Sequence, residues 1–89
     1  MLTLEEKIKS FVSDTTGILA AEIGNNDSFK QDLGMDSLEQ VELQMTLEEE
    51  FQIEISDEEI EKVKTVQQCI DYIAKRLEEK EDPEKFEQI

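Results

Sequence analysis

The sequence predicts an all-α fold: a small four-helix bundle with a long ordered loop between helices one and two and a short third helix. Three observations predict it. Thr3/Glu6, Ser37/Gln40, Ser56/Glu59 and Thr65/Gln68 each place Ser or Thr three residues before Glu or Gln, at the head of an apolar-periodic segment. At that spacing the two side chains satisfy each other's backbone N–H groups where a helix begins. Leu4, Ile8, Phe11 and Val12 recur at the helical period, as do Val66, Ile70, Ile73 and Leu77. The chain has 89 residues, which suits one domain and leaves any second one too short for a core of its own.

Each element follows in order. Helix one spans about Leu4 to Thr16, with Gly17 as its C-terminal stop. The next segment, 17–36, holds all three glycines. It carries Ile18, Leu19, Ile23, Phe29, Leu33 and Met35, enough apolar surface to pack over the bundle, so it is read as ordered. Helix two covers roughly Ser37 to Phe51, helix three a turn or two from Asp57 to Lys62, and helix four about Val66 to Glu79. The carrier of the fold is residues 1–80. Residues 81–89 form a charged tail interrupted by Pro83, which disfavours helix at Asp82; the tail is expected to fray, with Phe86 and Ile89 its only large apolar residues.

Helix two has two apolar faces. At about 100° per residue, Leu43, Leu47 and Phe51 share one sector and Leu38, Val41 and Met45 cluster opposite. The bland reading is a broad core with solubilising rims. The alternative is an apolar ridge bordered by Glu42 and Glu49 on one side and Glu48 on the other, suited to a groove rimmed by Arg and Lys. Charge placement favours the second. From Asp36 to Glu61 the chain holds 11 acidic residues and no basic one, out of a net charge of −15. Such a run is often just a solvated face, but this one coincides with the second apolar face.

Composition excludes several chemistries. With 24 acidic against 9 basic residues the chain is no phosphate-backbone binder, since that needs clustered Lys and Arg. It has no His, so Ser-His-Asp and Cys-His catalysis and His-ligated metal are out. The one cysteine, Cys69, permits no internal disulfide and reads as a small core residue on helix four. No apolar run approaches a membrane span and no signal-peptide pattern opens the chain. A calcium loop starting at Asp32 fails, because its sixth position is Ser37 and its twelfth Leu43.

Ser37 stands at the head of helix two, directly after the long loop. Its plainest role is an N-cap. It fails as a self-activated nucleophile, having no histidine, and no lysine between Asp36 and Glu61, as base. As an attachment point it makes physical sense: a phosphodiester on its hydroxyl sits at the positive end of the helix dipole.

The chain closely resembles the acyl carrier proteins of bacterial, dissociated (type II) fatty acid synthesis. The matching stretches are Asn25-Asn26-Asp27-Ser28-Phe29 and Asp32-Leu33-Gly34-Met35-Asp36-Ser37-Leu38-Glu39, then Val41-Glu42-Leu43 and Leu47-Glu48-Glu49-Glu50-Phe51. Ile55-Ser56-Asp57-Glu58-Glu59 and Thr65-Val66-Gln67 follow. Together they cover roughly residues 3–77. Gln44 departs from the pattern, being polar where an apolar residue is common, and the tail is longer than usual.

The resemblance implies a carrier, not an enzyme. Ser37 would bear 4′-phosphopantetheine, donated from coenzyme A by a phosphopantetheinyl transferase that recognises Asp36 and Leu38, and the arm's thiol would hold fatty acyl chains as thioesters. Glu39, Val41, Glu42, Met45, Glu48 and Glu49, with Ile55 and Asp57 beyond, would meet acyltransferases and fatty acid synthesis enzymes through their basic docking patches. Phe29, Leu33, Leu47, Ile55, Ile60, Val63 and Ile70 would line an acyl pocket, although each is equally ordinary core. A cytoplasmic monomer is expected, with no nucleic-acid or metal ligand. Two alternatives stay open: a carrier of aminoacyl, polyketide or D-alanyl groups, and a non-carrier acidic domain imitating nucleic acid, which leaves the serine motif without a role.

Overall fold

Helices α1 (Leu4–Thr16), α2 (Ser37–Phe51), α3 (Asp57–Lys62) and α4 (Val66–Lys80) follow one another in a computed structural model that describes residues 2–80. The all-α expectation holds. The tail expected over 81–89 lies outside the described residues. Among these, no helix is long and apolar enough to cross a membrane.

Local chemistry sets the helix ends. The Thr3/Glu6 box closes in both directions, Thr3 Oγ1 accepting from Glu6 N at 3.2 Å and Glu6 Oε1 from Thr3 N at 2.9 Å. The Ser56/Glu59 and Thr65/Gln68 boxes close likewise. Gly17 ends α1 with φ 81°, the left-handed conformation that glycine adopts without strain, and its N–H reaches Ser13 O.

The head of α2 differs from expectation. Its reciprocal pair is Asp36/Glu39, not Ser37/Gln40: Asp36 Oδ1 accepts from Glu39 N at 2.8 Å, and Glu39 Oε1 from Asp36 N at 3.2 Å. Both registers fit the spacing, and Asp and Ser are nearly equal caps. An anionic oxygen against the positive end of the helix is the stronger acceptor, so the cap falls one residue earlier and Ser37 becomes the first helical residue.

α1 packs on α2 and on α4. The core comprises Ile8 and Val12 of α1, Leu43 and Leu47 of α2, and Val66, Cys69, Ile70 and Ile73 of α4. The edge of Phe11 meets the ring of Phe51 at 6.0 Å and 77°. No polar or charged residue is buried among the described residues, so the buried side chains are ones whose removal from water is favourable.

The long loop contributes Ile23, Phe29, Leu33 and Met35 to that core, which accounts for its order. Leu19 is the exception, 67% exposed, because it precedes a 3₁₀ turn at Ala20–Glu22 that the sequence did not disclose. The loop is also stitched to the start of α4: Phe29 N donates to Lys64 O, Val66 N to Asp27 O and Gln67 N to Asn25 O, at 2.7–3.1 Å. Gly34, at φ 66°, turns the chain into the cap of α2, a conformation in which a Cβ is strained.

Two ties hold α3. On the α2 side, Gln44 Nε2 donates to Ile55 O at 2.8 Å and to Asp57 Oδ1 at 3.3 Å, while Glu48 Oε2 accepts from Ile55 N at 2.9 Å. On the α4 side, Arg76 Nη1 lies 3.7 Å from Glu59 Oε1 and donates to Tyr72 Oη at 2.7 Å.

Candidate functional site: the head of α2

Ser37 is exposed, and no hydrogen bond engages its hydroxyl among the described residues. The cap at Asp36 explains this, because the Gln40 N–H that a Ser37 cap would claim goes instead to the Asp36 backbone carbonyl. The backbone N–H groups of Ser37 and Leu38 likewise have no acceptor among the described residues, the helical ladder beginning with Gln40 N to Asp36 O at 3.0 Å. The site therefore presents a free hydroxyl beside two free donors at the positive end of a 15-residue helix. That suits a phosphodiester ester-linked to the hydroxyl.

Beside Ser37 lies a groove of about 790 Å³ between the long loop, the head of α2 and α3. Ser37 and Gln40 form its α2 wall, and Phe29, Ile60 and Val63 supply its apolar surface. Its rim carries Lys30, Lys62 and Lys64 together with Glu58 and Glu61. Of the residues expected in an acyl pocket, Phe29, Ile60 and Val63 are at this groove. Leu33, Leu47, Ile55 and Ile70 lie in the closed core.

The second face of α2 is open to solvent. Leu38 is 69% exposed, Val41 49% and Met45 53%. Such residues are normally sequestered, and three on one stripe form a patch rather than a scatter. Glu42 and Glu49 beside them are exposed and make no internal bond among the described residues. Three residues expected on the same surface are committed elsewhere. Glu39 closes the α2 capping box, Glu48 holds Ile55 N, and Ile55 itself is 4% exposed, its side chain drawn into the core by the ties on its backbone. Asp57 is exposed and accepts from Gln44.

Cys69 is a core residue, as expected. Burial pushes its thiol up to about 12, so it stays protonated and unreactive at neutral pH. Burial also raises Tyr72, with the Arg76 guanidinium opposing. Glu59 is held below the ordinary carboxylate range, chiefly by the Ser56 backbone N–H.

Sequence reasoning missed the lysine rim and the role of Gln44. The lysines are dispersed over 30–64 in the sequence and converge only through the loop and α3; their one trace is that they flank the all-acidic run on both sides. Gln44 stood out as a polar residue in an apolar position, without indicating what it would bind. A family model described as "Phosphopantetheine attachment site" matches residues 6–73.

Proposed function

The chain belongs to the phosphopantetheine-attachment family, and we propose that Ser37 is the residue on which it bears the 4′-phosphopantetheine arm. Members of that family carry acyl or peptidyl groups and leave the chemistry to other proteins. We further propose that the cargo here is the growing acyl chain of a dissociated, bacterial-type fatty acid synthesis. The observation that carries the reading is the exposed Ser37 hydroxyl, released from capping by Asp36.

In the loading step Ser37 Oγ forms a bond to the phosphorus of the pantetheine phosphate and the pyrophosphate bond of coenzyme A breaks. Adenosine 3′,5′-bisphosphate leaves, and the hydroxyl proton passes to a base of the transferase, since this chain has no histidine, and no lysine between Asp36 and Glu61. Asp36 and Leu38 flank the hydroxyl as the transferase's recognition points. The arm supplies a thiol that holds the cargo as a thioester.

Leu38, Val41 and Met45 form the apolar centre of the partner surface, with Glu42 and Glu49 as its free acidic border and Glu48 and Asp57 at its edge. The partners are fatty acid synthesis enzymes and acyltransferases with basic docking patches, for which net charge speeds encounter and a desolvated ridge gives affinity. Phe29, Ile60 and Val63 form the entrance to the acyl pocket, and Leu33, Leu47, Ile55 and Ile70 its depth. Each methylene taken from water there contributes about 0.8 kcal/mol. The carrier acts as a cytoplasmic monomer.

Incubation with coenzyme A and a phosphopantetheinyl transferase adds one phosphopantetheinyl mass to the parent and none to Ser37→Ala. An equal gain in both refutes the assignment. Loading then separates the cargo classes: transfer by a fatty-acyl ligase but not by aminoacyl or D-alanyl ligases is expected, and the reverse selects the other carriers.

A further inference from the structure

We propose that Lys30, Lys62 and Lys64 bind the phosphodiester of the arm and fold the arm into the groove beside Ser37. The inference rests on Ser37 as the attachment residue. It starts from an imbalance of charge. The chain carries −15, yet three of its nine basic residues stand on this one rim. With Glu58 and Glu61 counted against them, the groove has one net positive charge.

All three lysines are exposed, and none forms an ion pair or side-chain hydrogen bond among the described residues. In a chain so acidic, cations that decline every internal carboxylate are available to an anion from outside. Ser37 lines the same groove as the three lysines, so a phosphate on its hydroxyl is at the cavity they border. Lysine is a flexible point charge that suits a single phosphate without fixed geometry. The apolar surface of Phe29, Ile60 and Val63 suits the gem-dimethyl part of the arm. A phosphodiester on the other flank of Ser37 meets Asp36 and Glu39 instead, which repel it. Charge therefore decides the direction in which the arm leaves Ser37, toward α3.

The test uses full-length protein in which intact mass first verifies one arm ending in a free thiol. A mass without the arm overturns the Ser37 assignment as well as this inference; every later result bears on the lysines alone. Amide and ³¹P spectra of the apo and arm-bearing forms are compared in the parent, in Lys30→Gln/Lys62→Gln/Lys64→Gln and in the corresponding triple Arg variant.

Attachment is expected to shift the amides of Phe29, Lys30 and residues 60–64 in the parent, in addition to those around Ser37. Those distant shifts fall to less than half in the Gln variant, return in the Arg variant, and weaken as salt screens the pairing. Shifts confined to the head of α2, or equal in parent and Gln variant, overturn the proposal. A second arm loads the thiol with a carboxylate-ended acyl group. Lysine shifts that arise only on that loading assign the rim to the cargo's carboxylate and also overturn it.

Discussion

Asp36→Ala and Ser37→Ala are neighbouring substitutions at the head of one helix, and the structure predicts opposite outcomes for them. Asp36 Oδ1 takes Glu39 N at 2.8 Å and positions Glu39 to take Asp36 N at 3.2 Å. Alanine at position 36 abolishes the cap, a loss of about 1 kcal/mol within a range of ~0.5–2. Removing one exposed carboxylate from an acidic surface returns a few tenths of a kcal/mol at most, so the net remains near 1 kcal/mol destabilising. For a domain of this size that lowers Tm by roughly 4–8 °C. Ser37 has no side-chain partner to lose, and alanine is the better helix former by about half a kcal/mol. Ser37→Ala therefore leaves Tm unchanged or slightly raised. Thermal unfolding of the two variants, both without the arm, is followed by circular dichroism, and the transferase reaction by intact mass. Asp36→Asn keeps a capping oxygen and controls for the lost charge. A Ser37→Ala protein that melts as early as Asp36→Ala refutes the reasoning, because the hydroxyl is then a structural cap.

Three further predictions follow from the same geometry. Glu42→Lys/Glu49→Lys weakens binding to a basic synthase partner with an unchanged Tm, since neither carboxylate makes an internal bond, whereas Glu48→Lys lowers Tm by breaking the bond to Ile55 N; titration calorimetry and melting curves check both, and equal affinity for the double variant and parent counts against the ridge. Tm rises with added salt or divalent cation as the repulsion of the acidic run from Asp36 to Glu61 is screened; a flat response shows that repulsion to be negligible. Cys69 gives stability a specific dependence on pH. Its thiol is pushed up to about 12 in the folded chain, while the unfolded chain releases that proton near its ordinary value of ~8.5. Between those values the unfolded state binds fewer protons, so stability falls as pH rises, by up to ~1.4 kcal/mol per unit, and below them Cys69 contributes no slope; Cys69→Ala, though less stable from the outset, loses this component in urea titrations across that range.

The helices were legible because their signals are local. Capping pairs and apolar stripes fix where α1, α3 and α4 start and which side they bury. The loop's order was legible from its apolar content, but its 3₁₀ turn was not, since a three-residue element has no period to detect. The cap of α2 was misread because Asp36/Glu39 and Ser37/Gln40 satisfy one spacing rule, and charge at the helix end decides between them. The burial of Ile55, a residue expected on the partner surface, has a different origin. Its neighbours in sequence are exposed, but Gln44 and Glu48 take its carbonyl and N–H from a helix 11 and seven residues away, and such long-range ties leave no mark in a local pattern.

These ties give α2 a third face, between the two that periodicity distinguishes. Ser37, Gln40, Gln44 and Glu48 fall along one strip at about 100° per residue. Its upper part borders the groove and its lower part binds the strand of chain entering α3. Ser37 thus stands at the head of a polar seam, with the core on one side and the exposed ridge of Leu38, Val41 and Met45 on the other. The seam separates two tasks that would conflict on a single face. If Ser37 bears the arm and the ridge docks the partner, as proposed, an arm resting against α3 lies on a face of α2 other than the one the enzyme approaches. On the proposed reading, the acidic border of the ridge and the three lysines of the rim act on different partners: the first on the protein that approaches, the second on the phosphate that stays attached.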